Sequence, residues 1–159
     1  MDDPAKELPF QGVYRLPKGA TAPVLLTKDV TRPNGIGFSP DEKKLYVASS
    51  DPDKAIWMVY DVQDDGSIAN GKVFFDSTAW FKEGRPGLPD GLKVDKQGNI
   101  FATGPGGVLV FAPDGTHLGT IETGQKTANC GFGDDGSVLY MTADMFFCRI
   151  KLSTTGLGF

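Results

Sequence analysis

Three residues with side-chain oxygen donors recur ahead of strand-like runs. Asn34 stands in Pro33-Asn34-Gly35, and Asp90 stands in Pro89-Asp90-Gly91. Asn129 opens the third copy, Asn129-Cys130-Gly131. Alternating apolar residues and a turn follow each one, as in Ile36-Gly37-Phe38-Ser39-Pro40-Asp41 and Leu92-Lys93-Val94-Asp95. The repetition places Asn34, Asp90 and Asn129 at one shared position. In a radial repeat fold, shared positions point at a common axis. Carboxylate and amide oxygens are hard donors, so several of them on one axis would hold a divalent cation. Each tripeptide is also a turn sequence in its own right. The pairing at matching repeat positions is what points beyond a turn.

The elements that would carry these residues are short strands. Leu45 to Ala48, Ala55 to Val62 and Lys72 to Asp76 follow the first copy, with a hairpin signal at Asp64-Asp65-Gly66. Ile100 to Thr103, Gly107 to Phe111 and Leu118 to Glu122 follow Leu92 to Val94. Cys130 to Phe132, Leu139 to Thr142 and Phe147 to Leu152 make the third set. Two further strands, Gly12 to Leu16 and Ala22 to Thr27, precede them all, behind a flexible lead over residues 1–9. The turn glycines recur about every 40 to 50 residues, the period of a four-stranded propeller blade. No stretch shows a 3.6-residue period, so almost no helix is expected. The exception is a helical turn within Asp76 to Leu88, where Trp80 and Phe81 sit as candidates for a lid.

The expected fold is therefore all-β, a β-propeller with about three four-stranded blades and a partial one at the start. Propellers close with four to eight blades. An open wall of apolar strands calls for a cover. The expectation is a companion chain carrying other blades, or self-association into a closed ring.

Composition narrows the partners. The net charge is −4 and no Lys/Arg run is present, which argues against nucleic acid and against an anionic membrane surface. No segment is long and apolar enough to span a bilayer as a helix. Cys130 and Cys148 fall on the first and third strands of one sheet and read as two buried thiols. His117, the single histidine, follows the Asp114-Gly115 turn and reads as exposed. No Ser-His-Asp arrangement is credible around it. Nothing in the sequence sets a cellular location.

Arg32-Pro33-Asn34-Gly35-Ile36-Gly37-Phe38-Ser39-Pro40-Asp41-Glu42, followed by Leu45-Tyr46-Val47-Ala48, resembles the gluconolactonase, senescence-marker-protein-30 and luciferin-regenerating-enzyme family. Gly87-Leu88-Pro89-Asp90-Gly91-Leu92-Lys93-Val94-Asp95 and Gly98-Asn99-Ile100-Phe101-Ala102-Thr103 resemble its following blade. The resemblance implies a six-bladed propeller, of which 1–159 is the C-terminal half, with one divalent cation on the axis. It implies hydrolysis of small sugar-type lactones. Asn34 and Asp90 take two of the family's three ligand positions. The third is a Glu with no counterpart here, since Glu7 lacks the family's surrounding residues.

A lactone is an ester, so its hydrolysis needs an activated water, a base and stabilisation of the carbonyl oxygen. A divalent cation supplies part of this. Asp90 is the expected general base as well as a ligand, and Asn34 the neutral ligand. Hard oxygens without competing His or Cys favour Ca²⁺, with Zn²⁺ or Mg²⁺ as alternatives. Asn129 either lines the cavity and contacts substrate or caps a strand end. Ser49, Ser50 and Asp144 lie at strand ends and read mainly as solvent-facing. A competing function is a non-catalytic propeller module that binds a ligand or partner and keeps the cation for structure. A metal-free propeller of the strictosidine-synthase type is a third, disfavoured by the two ligand motifs.

Overall fold

Residues 45–48 and 55–60 are buried without interruption, so strands here hide both of their faces. Successive side chains of a strand point to opposite faces. A sheet sandwiched between neighbours therefore reads as a continuous apolar run. In the computed structural model, which describes residues 3–159, that is the arrangement.

The strands are β1 (Val13–Arg15), β2 (Val24–Thr27), β3 (Pro33–Phe38), β4 (Lys44–Asp51), β5 (Lys54–Val62), β6 (Ile68–Asp76), β7 (Leu92–Val94), β8 (Ile100–Gly104), β9 (Gly107–Phe111), β10 (His117–Glu122), β11 (Thr127–Gly133), β12 (Val138–Ala143) and β13 (Phe146–Lys151). They pair only with sequence neighbours, all antiparallel. The result is a two-stranded sheet (β1, β2), a first four-stranded sheet (β3 to β6), a second (β7 to β10) and a three-stranded sheet (β11 to β13). The third repeat thus has three strands, not four. The helical turn expected within Asp76 to Leu88 is α1 (Thr78–Lys82). Of the flexible lead expected over 1–9, residues 1 and 2 lie outside the described residues. Among the rest, Lys6 N donates to Asp3 O at 3.0 Å.

The core is a series of layers between sheets. Leu45, Val47, Ile56, Met58 and Tyr60 face Val13 and Val30. Their alternates Tyr46, Ala48, Trp57 and Val59 face Leu92, Ile100, Leu109 and Phe111 of the second sheet. On the far side of that sheet, Phe101 and Val108 meet Cys130, Leu139 and Met141. Trp57, 1% exposed, sits 5.4 Å from Phe111 and 6.3 Å from Phe75 between ring centroids. Trp57, Tyr60, Phe74 and Phe75 serve as packing residues: the first two are buried and the others lie partly buried against the same layers.

Three expectations are corrected. His117 is half-buried, with its ring 5.1 Å from Trp80 and 5.6 Å from Phe111, and Nε2 3.0 Å from the Thr120 hydroxyl. The aromatic faces around it outweigh the turn that precedes it. Trp80 is no lid: it packs against Phe75 and the layer between the two four-stranded sheets, with the Arg85 guanidinium 4.7 Å over its ring. Cys130 is buried as expected, whereas Cys148, on β13 at the edge of its sheet, is half-buried.

Candidate metal and catalytic site

The inner strands converge because glycine lets them. A Cβ on Gly35 would collide with the Asp90 carbonyl, and one on Gly91 with the Asn129 amide. Each glycine is thus where the next sheet's backbone or side chain leans in. The approach brings Asn34, at the start of β3, and Asp90, just ahead of β7, to one cavity of about 400 Å³. Arg32, Ser50, Lys126 and Ala128 also line it. β3 carries a bulge between Pro33 and Ile36, so Asn34 sits where the ladder is interrupted and its side chain is re-aimed.

Hydrogen bonds fix the surroundings. Asn34 Nδ2 donates to Ser50 Oγ at 3.0 Å, and Ser50 Oγ donates to the Pro89 carbonyl at 2.6 Å. Asp90 N donates to Thr103 O at 3.1 Å, and Gly91 N to Ala128 O at 3.0 Å. The Thr103 hydroxyl, fully buried, lies 3.1 Å from the carbonyls of both Gly91 and Ala128. Burial of the Asp90 carboxyl pushes its pKa above the ordinary carboxylate range, with the Asn34 amide and the Gly91 backbone N–H pulling it back. A bound cation would act in the same sense as those two, favouring the charged form.

Asn129 does not share the position of Asn34 and Asp90. Ile36 pairs with Val47, Leu92 with Ala102 and Cys130 with Met141, and these pairs are equivalent across the three sheets. Counting back two residues gives Asn34, Asp90 and Ala128. β11 has its own bulge between Thr127 and Asn129, which shifts the sequence resemblance by one residue. Asn129 is exposed, its Oδ1 accepts from Cys130 N at 2.9 Å, and its backbone N–H bonds Thr142 Oγ1 at 3.1 Å. Ala128, not Asn129, lines the cavity. Ser50, expected to face solvent, lines the cavity instead, and Arg32 and Lys126 join it there. A signal was available, since Arg32 lies two residues before Asn34, as Leu88 does before Asp90 and Lys126 before Ala128.

The donor set suits a hard cation: one carboxylate and one amide, with no thiol or imidazole lining the cavity. It is incomplete in number. Among the described residues there is no group of three or more His, Cys, Asp or Glu placed to hold a metal, while Ca²⁺ takes six to eight oxygens.

Serial antiparallel sheets with an oxygen-lined cavity where their inner strands meet define an all-β protein of the repeat type. The chain belongs to the SMP-30/Gluconolactonase/LRE-like family, whose model matches residues 1–144. The gluconolactonase of Zymomonas mobilis subsp. mobilis is 41% identical over 155 residues, 95% of this chain and 43% of that protein. The structure of a gluconolactonase from Xanthomonas campestris superposes with a TM-score of 0.78 at 30% identity, over 92% of this chain and 46% of the other. Regucalcin from Agrobacterium tumefaciens, a calcium-binding protein, gives a TM-score of 0.70 at 26% identity, over 93% and 54%. The chain spans about half the length of these relatives.

Proposed function

We propose that the cavity between Asn34 and Asp90 is part of a metal-dependent lactone-hydrolysing site, and that the sheets are blades of a six-bladed propeller. The single observation that supports it is that two successive repeats bring an amide and a carboxylate to one cavity. Lactonase relatives and a calcium-binding relative favour the same reading. Asn34 Oδ1 and the Asp90 carboxylate would hold one divalent cation, Ca²⁺ before Zn²⁺ or Mg²⁺. When bound, the cation polarises the ester carbonyl and makes water more acidic. Asp90 takes the proton of the attacking water and returns it to the ring oxygen, which leaves as a hydroxyl when the acyl bond breaks. Arg32 and Lys126 give the cavity positive charge, which suits the carboxylate product. The remaining ligands and blades come from outside these residues. In this reading 1–159 is the C-terminal half of a single propeller domain.

A second reading is a non-catalytic module with a structural cation, favoured by the presence of a single carboxylate in the cavity. Asp90→Asn separates the two. It keeps the shape and an oxygen ligand but removes the base. In the assembled ring, Ca²⁺ is expected to stay, more weakly, while kcat on a sugar lactone falls roughly 10²-fold or more. Turnover at the parent rate with the metal bound would leave Asp90 as a ligand only.

A further inference from the structure

Asn34 can serve a cation only with its oxygen turned outward, and an amide has two faces that differ by a flip. The proton count around Ser50 decides which face is which. The Pro89 carbonyl has no proton to give, so over the 2.6 Å contact the Ser50 hydroxyl must donate. A hydroxyl has one proton. Its oxygen can therefore only accept over the 3.0 Å contact with Asn34, and the amide must present its NH₂ there. The Asn34 oxygen is left pointing away from Ser50. Ser50 stands at the end of β4, whereas Pro89 immediately precedes Asp90 in the next sheet's leading turn. One hydroxyl thus orients one ligand and tethers the backbone of the other.

We infer that Ser50 is a positioning residue: it polarises the Asn34 amide so that Oδ1 is the atom offered to a cation, and it sets the Asn34-to-Asp90 spacing across the sheet boundary. This rests on the cation reading above and deepens it. Outer-shell partners of this kind are worth roughly 10- to 100-fold in metal affinity. Ser49, one residue earlier, cannot substitute, since it is fully buried and its Oγ lies 3.5 Å from the Thr31 hydroxyl.

The test uses the full chain with two readouts. In the metal-free state, the nitrogen–proton correlation of the Asn34 side-chain amide reports the bond directly. Ser50→Ala is expected to move it to the position of a solvated amide, and Ser50→Thr, which keeps the hydroxyl, to leave it near the parent's. In the assembled ring, calorimetric titration with Ca²⁺ alone is then expected to show a loss of tenfold or more for Ser50→Ala and recovery to within about threefold for Ser50→Thr. An unmoved Asn34 resonance in a folded Ser50→Ala chain overturns the inference. So does parent-like Ca²⁺ affinity in that variant while Asp90→Ala loses it, and in that case the cation reading stands. If the parent chain in the assembled ring takes up no Ca²⁺, the cation reading falls and the cation half of this inference with it. The amide resonance then still decides whether Ser50 sets the Asn34 side chain.

Discussion

Asp90 carries a charge that the cavity makes costly and a cation would make favourable. Asn34 contributes an oxygen without charge. Removing them should therefore have unequal effects. Asp90→Ala is expected to weaken Ca²⁺ binding more than Asn34→Ala, as a titration of the two variants side by side would read. The pairing of Asn34 with Asp90 at one cavity was legible in the sequence because they recur ahead of glycines at matching repeat positions. Asn129 was misplaced for the same reason. The eye aligned oxygen-bearing residues, whereas the backbone register, shifted by a bulge in β11, aligns Ala128. Ser50 was illegible because nothing in a strand-end serine says whether it meets water or a carbonyl from the next sheet.

Strands and their turns were legible from apolar alternation and glycine spacing. What ties one element to another across sheets was not. Gly35 shows the point, since its role is set by Asp90, far along the chain. Gly35→Ala is expected to force the first and second sheets apart at the cavity, lowering the melting temperature and weakening Ca²⁺ binding together. Asp95 is a second case. It looks like an ordinary turn residue, yet it is fully buried and accepts from Gln97 N at 2.9 Å, Asn99 N at 2.8 Å and Thr154 Oγ1 at 2.8 Å. It pins the segment after β13 to the second sheet, where Lys96 N also donates to Thr155 O at 2.9 Å. Asp95→Ala leaves several of these donors without a partner and is expected to cost about 1–3 kcal/mol in denaturant unfolding. The two cysteines divide along the same lines. Burial pushes the Cys130 thiol up to about 12, while Cys148 sits half-buried on an edge strand. A thiol reagent is expected to modify Cys148 in the folded chain and Cys130 only on unfolding. Equal rates for both would contradict the burial of Cys130.

Stability of the whole molecule rests on layers between sheets rather than on any one sheet. Trp57 meets Phe75 of the first four-stranded sheet and Phe111 of the second, so Trp57→Ala is expected to cost about 3–5 kcal/mol in denaturant unfolding. Acid should loosen the same molecule at its hairpin turns. Asp41, Asp65 and Asp135 are held below the ordinary carboxylate value of 3.8 mainly by the Ser39, Ser67 and Ser137 side chains, Asp61 mainly by Lys44, and Asp114 by Thr116. A depressed folded-state pKa contributes stability that is present above the unfolded value and lost as pH falls through the folded one. The melting temperature is therefore expected to be flat from pH 6 to about pH 4 and to drop below it. Asp90 opposes the trend, since burial raises it.

The central claim is that Asn34 and Asp90 belong to one cation site, and a double-mutant cycle of Ca²⁺ affinity tests it most directly. Parent, Asn34→Ala, Asp90→Ala and the double variant would be titrated calorimetrically in the assembled ring. The account predicts that each single change weakens binding, Asp90→Ala the more, and that the double variant loses less than the two losses combined, because the residues share one ion. Parent-like Ca²⁺ affinity in both single variants would contradict it.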